Sequence, residues 1–337
     1  MEMMRRRLGW IRGAACAVML GVGGSGCILV TVGGPSSLFS GPDELEEVVV
    51  SGAGRDKILL VDVSGVLTDA PARRAFGLFE EESSLARLEA ELARAAEDER
   101  IGAVVLRINT PGGGVTASDA MYETLVRFKE DHGLPIIASL GDRATSGGYY
   151  VACAADVIIA HPTTVTGSIG VILMSLDLTE LLAKVGVRNQ TFRAGEYKDL
   201  LSPLRGVTPE ERKIVQRILD HLHARFISIV HASRPAMSEA DLAEATDGRV
   251  VVAAQARELG LVDEIGSLRV ALAEAGARAD LEEARVVMYR RGPEARETIY
   301  SRPPGGAPQV NVLPIDLGAM PGVSPRFMYL WAPGLVP

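Results

Sequence analysis

Cysteine is scarce: the chain has three in 337 residues, Cys16, Cys27 and Cys153. The first two fall in an apolar N-terminal segment, so the main body carries one thiol and holds no internal disulfide. There is no CxxC pair, and no Cys/His cluster stands at zinc spacing. His221 and His223 are two apart, on different faces of a helix, and with His231 they read as polar positions along it. Neither a metal nor a cofactor is expected. Positive charge is not in excess either. Lys and Arg number 35 against 43 Asp and Glu, a formal net charge of -8, and no basic face interleaved with aromatics is present. That balance excludes nucleic acid as a natural partner. Nucleotide loops are missing too, since no GxGxxG follows the first strand pattern and the triple glycine at 112–114 lacks the Walker lysine-hydroxyl ending.

What is present begins with an address. "MRRRLGWIRGAACAVMLGVGGSGCILVTVGG" is a basic stretch followed by an uncharged run from Gly13 to Gly34. Arg5, Arg6, Arg7 and Arg12 stay cytoplasmic under the positive-inside rule, which puts the rest of the chain across the membrane. The run is long enough to span, since about 20 apolar residues suffice. "GSGC" also resembles a lipoprotein processing site ending at Cys27, so residues 1–34 are either an uncleaved anchor or a lipoprotein signal. Both readings tether the body to a membrane. Residues 35–56, rich in Gly, Ser, Pro and Glu, read as a linker.

From Lys57 short β-rich runs alternate with amphipathic helical stretches, which predicts an α/β fold. "KILLVDVSGVL", "IGAVVLRIN" and "PIIASL" read as strands, and "SSLARLEAELARAAEDER" as a helix. "DVIIAHPTTVTGSIGVIL" reads as two further short strands, "LTELLAKVG" as a helix and "VRNQTFR" as a strand. The long helix "TPEERKIVQRILDHLHARFISIVHASR" opens with Thr208 as cap, Pro209 next and Glu211 at the capping-box position. The final stretch, 291–337, is rich in proline and glycine and reads as an irregular tail that ends in the aromatic-apolar cluster "RFMYLW". It either packs on its own or a neighbouring subunit, or reaches towards the membrane or a substrate groove.

Two consecutive strands deliver special loops at their C-terminal ends, where open α/β sheets place their sites. "TPGGG" is either a flexible turn or a set of backbone N–H groups offered to a bound carbonyl. "DRATSGGYYVACAAD" puts Ser146 between a charged turn and two glycines, the setting of a helix cap and equally of a nucleophile. No histidine offers itself as a triad partner; His161 reads as a surface loop residue. Lys198, in "RAGEYKDLLSP", is either a surface ion pair with Glu196 or Asp199 or a general base, which a lysine becomes when burial disfavours its charged form. Ser-Lys dyads need no histidine or acid. Ser168 in "TGSIGV" could aim the amine.

"TPGGGV", "TSGGYYVACAAD", "TGSIGV" and "YKDLLSP", with a helix-strand unit "DGRVVVAAQARELGLVDEIGS", resemble the signal peptide peptidase A family of serine peptidases, family S49, over residues 57–290. The resemblance implies a Clp protease/crotonase-like core of repeated ββα units preceded by the membrane-targeting segment. It implies Ser146 as nucleophile, Lys198 as general base and Ser168 as the hydroxyl bonded to that lysine. Oxyanion donors are implied at Gly147 and at Gly113 or Gly114. It further implies a homo-oligomeric ring on the extracytoplasmic side of a bacterial cell membrane, with neighbouring subunits completing each site. Cleaved signal peptides are the implied substrates. A related peptidase that trims one membrane protein, a crotonase-like acyl-CoA enzyme and a non-catalytic scaffold stay open as alternatives.

Overall fold

The computed structural model describes residues 45–74, 79–291, 298–300 and 327–331. The expectations for residues 1–34, including Cys27, lie outside them. In chain order the elements are β1 Glu46–Ser51, β2 Asp56–Leu67, β3 Ala72–Arg74, β4 Phe79–Glu81, α1 Ser84–Ala96, β5 Ile101–Gly114, α2 Val115–His132, β6 Ile136–Thr145 and α3 Gly147–Ala152. They continue as β7 Val157–Ala160, β8 Val165–Gly167, β9 Ile172–Leu173, α4 Thr179–Lys184, α5 Pro209–Ser233 and α6 Glu239–Ala245. The last are β10 Val250–Val252, α7 Ala253–Glu258, β11 Glu264–Ile265, α8 Leu268–Arg278, β12 Ala284–Arg290 and β13 Phe327–Leu330.

A mixed sheet in the order β1-β12-β2-β5-β6-β7-β11 organises the body. From β12 to β11 its neighbours run parallel, and β1 joins the edge antiparallel. Central strands of such a sheet are covered on both faces and so read as near-continuous apolar runs. In β5, Val104, Leu106 and Ile108 face one core with α1 and α2, while Ala103 and Val105 face a second core with α8. Alternate side chains of a strand point to opposite faces, which makes this a three-layer α/β arrangement. The capping box at Thr208 and Glu211 forms as its spacing predicts. Among the described residues no helix is long and apolar enough to cross a membrane.

Four expectations change. Residues 46–51, read as linker, form β1 because they complete the edge of β12. "VRNQTFR" is not a strand; Val187–Arg193 are exposed and pair with no strand. The glycines of "TPGGG" do not leave β5 but extend it, because β2 on one side and β13 on the other keep them in the ladder. The tail, read as irregular, contributes β13.

One buried ion pair ties the two central strands in register. Asp62 of β2 lies opposite Arg107 of β5, the guanidinium Nε donates to the carboxylate at 2.7 Å, and the side chains are 1% and 7% exposed. Ser64 adds a donor to Asp62 at 2.7 Å, and Arg107 also donates to the Ile299 carbonyl. Breaking one side of such a pair strands a buried charge. Asp62→Asn is therefore expected to lower folding stability by about 3 kcal/mol, read as a fall in the urea midpoint at unchanged slope.

Candidate active site

Ser146 stands where β6 ends and α3 begins, with backbone angles φ 54° and ψ -116°. L side chains avoid positive φ, and holding one there costs about 1–3 kcal/mol. Two backbone bonds fix it: the Ser146 N–H donates to the Gly167 carbonyl at 2.8 Å, and the Ser146 carbonyl accepts from Tyr150 at 3.0 Å. The hydroxyl is closed off from solvent and, among the described residues, has no hydrogen-bond partner. A buried hydroxyl left unpaired costs about 1–3 kcal/mol and calls for an explanation. A site waiting for a reacting group supplies one.

The glycine loop comes up against this turn. Gly112 has φ +99°, and a Cβ there would sit 2.8 Å from the Gly147 amide nitrogen. A Cβ on Gly147 would stand 3.2 Å from the amide nitrogen of Gly113. The Gly113 and Gly147 amides thus stand close together beside Ser146. Gly114 is one step further away, as N-cap of α2, and its carbonyl accepts from Ser118 Oγ at 2.9 Å. Between the two glycines the sequence left open, the geometry favours Gly113 as the donor that accompanies Gly147.

Ser168, also at positive φ (53°), follows β8 and is nearly buried. It is brought beside Ser146 through the Gly167 bond, and its own N–H donates to the Arg249 carbonyl at 2.6 Å. Lys198 is not brought there. It is exposed, and among the described residues its side chain bonds neither Ser146 nor Ser168. Nor is it the surface ion pair its neighbours suggest, because Asp199 is taken by Arg193 and by Arg205, the latter through Nε at 2.8 Å. Lys198 belongs to an arm, residues 170–210, that contains no buried residue.

Other candidates drop out on their surroundings. Burial pushes the Cys153 thiol up to about 12, which leaves no thiolate for nucleophilic work. His161 is exposed and bonded to Thr163 at 2.8 Å, the surface loop residue expected. His223 reaches the Ile169 carbonyl at 3.2 Å, next to Ser168, a proximity that sequence spacing gave no reason to expect. The close approach of Gly112 and the role of Ser118 also went unread, and only the run of glycines hinted at them.

The sequence profile described as peptidase family S49 matches residues 128–282. A protein of Enterococcus faecium named "Putative signal peptide peptidase SppA" is 34% identical over 261 residues, 77% of this chain and 75% of that one. The chain belongs to peptidase family S49. "Serine protease SPPA, chloroplastic" of Arabidopsis thaliana, also similar, is 33% identical over 68% of this chain and 33% of its own length. Among solved structures, a ClpP1 mutant from Listeria monocytogenes aligns at 15% identity with a TM-score of 0.40, over 63% of this chain and 94% of that chain.

Two measurements follow from the site of this S49 chain. In Gly112→Ala the new Cβ meets backbone at φ +99°, and peptide turnover is expected to fall by about a hundredfold or more, read in a fluorogenic assay beside a check of folding. The arm is pinned at its base by a second network. Arg205, with the Thr208 N–H, holds Glu211 at about 2, and Arg205 and Arg193 hold Asp199 well below the usual carboxylate range. Depressed carboxylates lend stability above their ordinary range, near about 4, which is lost as pH falls through it. Hydrogen exchange across residues 195–206, corrected for intrinsic rates, is therefore expected to quicken between about pH 5 and pH 2, and at neutral pH in Arg205→Ala.

Proposed function

We propose that this chain is a membrane-tethered serine endopeptidase with a Ser-Lys dyad, whose core is of the Clp protease/crotonase kind. It degrades cleaved signal peptides and other extended apolar peptides on the extracytoplasmic side of a bacterial cell membrane. The observation that carries the reading is the Ser146 hydroxyl: buried, without a partner, on a strained strand-to-helix turn beside the amides of Gly113 and Gly147. Ser146 Oγ attacks a peptide carbonyl, forming the C–O bond as its proton passes to an uncharged Lys198 amine. The two amides stabilise the oxyanion. The lysine then returns the proton to the leaving amine, and water, activated by the same amine, releases the acyl group. Ser168 orients the amine. No cofactor takes part.

The lysine comes from a neighbouring copy in a ring, and the arm supports this. An excursion with no core of its own needs a surface to cover it, and this one exposes Phe192 (96%), Val185 (65%) and Leu181 (57%). Docked on the next subunit, it would bury these side chains and carry Lys198 to that subunit's Ser146 and Ser168. The alternative, a close relative that trims one membrane protein, shares the whole site and differs only in substrate.

Ser146→Ala and Lys198→Ala are each expected to assemble normally and to cleave no apolar fluorogenic peptide. Mixed one to one and reassembled, the two variants are expected to recover roughly a quarter of wild-type activity, the random share of sites that pair an intact serine with an intact lysine from the next subunit. Full activity in Lys198→Ala sinks the dyad. No recovery in the mixture sinks the shared site.

A further inference from the structure

The groove beside Ser146 is already filled, and by this chain. β13 lies antiparallel to the glycine end of β5, pairing Met328 with Gly114, Tyr329 with Gly113 and Leu330 with Gly112. On its other side it pairs with β9, Phe327 with Leu173 and Met328 with Ile172. A short extended segment held by main-chain bonds between two strands is how a peptide is taken up by strand addition. The register also fixes one carbonyl. Trp331 N–H donates to the Pro111 carbonyl at 2.9 Å, and hydrogen-bonded pairs alternate along an antiparallel ladder, so the Gly113 N–H faces the Tyr329 carbonyl. A Cβ on Gly112 would meet that same carbonyl oxygen at 2.0 Å and the Gly147 nitrogen at 2.8 Å. The Tyr329 carbonyl thus occupies the ground on which the two amides assigned to the oxyanion converge.

The Tyr329 side chain goes into a pocket of matching chemistry. It is fully buried, stacked on Tyr150 at 5.2 Å between ring centroids and tilted against Phe226 at 4.7 Å. Its hydroxyl donates to the Leu222 carbonyl at 2.8 Å. Tyr150 belongs to α3, the helix that begins at Ser146, so this pocket and the nucleophile are built by one element.

We propose that residues 327–331 sit as a substrate mimic in the peptide-binding groove, with Tyr329 in the pocket that selects the residue before the cut. The enzyme then prefers an aromatic side chain there, tyrosine above phenylalanine, because the Leu222 carbonyl is left unpaired by phenylalanine. The chain's own C-terminal strand competes with peptides for the groove. The inference rests on the peptidase reading of Ser146 and names the substrate class of that site.

The test uses the full-length protein and fluorogenic peptides identical except at the residue before the cleaved bond. With tyrosine there, kcat/KM is expected to exceed that of the alanine peptide by about tenfold or more, with phenylalanine between. In full-length Tyr329→Ala the KM for the tyrosine peptide is expected to fall about threefold or more at unchanged kcat, since an occupied groove weakens apparent affinity by the fraction left open. No preference among the peptides overturns the pocket. A KM that holds or rises in folded Tyr329→Ala makes β13 a permanent strand and overturns the competition. Binding of a labelled FMYLWA peptide to Ser146→Ala, read by fluorescence anisotropy, needs no turnover. It is expected to tighten when Tyr329→Ala is added, and it decides the groove even where cleavage is absent and the peptidase reading itself has failed.

Discussion

The whole site depends on how closely four pieces of backbone approach one another around Gly112, Gly113 and Gly147. A Cβ on Gly113 would lie 2.1 Å from the Leu67 carbonyl oxygen and 2.5 Å from the Leu67 nitrogen, both fixed in the β2 ladder. On Gly147 it would lie 2.4 Å from Ser118 Oγ. Only chains without side chains come this near. The gain is that two main-chain donors and a hydroxyl share a volume too small for side chains to furnish. β5 makes the approach rigid. It stays in the sheet through Gly114, paired with β2 up to Gly113, so the donors are fixed by ladder bonds and not by a loose turn.

The price of that arrangement is local strain. Ser146 and Ser168 both hold positive φ, and the hydroxyls of Thr145 and Ser146 are buried without partners among the described residues. These terms persist only because the surroundings over-determine them. The restraint runs through a relay of backbone bonds: Ser146 to Gly167, then Ser168 to Arg249, beside the pairing of β8 with β10. The residues of β10 therefore hold the nucleophile's turn in place from roughly a hundred positions further along the chain. This explains in physical terms why the helix-strand unit after Asp247 belongs with the loops at Ser146 and Ser168: it closes the back of the same turn.

Much of this was legible in the sequence, for identifiable reasons. Strands buried on both faces announce themselves as unbroken apolar runs, so β2, β5 and β6 were readable, and cap chemistry marked the start of α5 at Thr208. The turn at Ser146 was readable because two glycines after a hydroxyl at the end of a strand leave few other uses. What stayed hidden depends on distant partners. "TPGGG" has the composition of a loop, and nothing local says that β2 and β13 will keep it extended. "FMYL" follows a stretch rich in proline and glycine, and its strand exists only because β5 and β9 leave a gap of its width. "VRNQTFR" has strand composition, but the arm gives it no neighbour to pair with.

The contrast between the two proposed dyad residues is itself informative. Ser146 sits at the seam of the most tightly packed part of the molecule, against fully buried Tyr149 and Tyr150. Lys198 sits on an arm with no core, tied down mainly by Arg205 at its base. A nucleophile needs a fixed position relative to its oxyanion donors, and the core supplies that. A lysine serving as base needs to lose its water, which an exposed arm cannot provide until another surface closes over it. In the proposed assembly, one docking event would cover the arm's apolar side chains and dry the amine together. The hydroxyl of an isolated chain would then stay idle for want of a base, and uncontrolled proteolysis before assembly would be prevented by the fold itself.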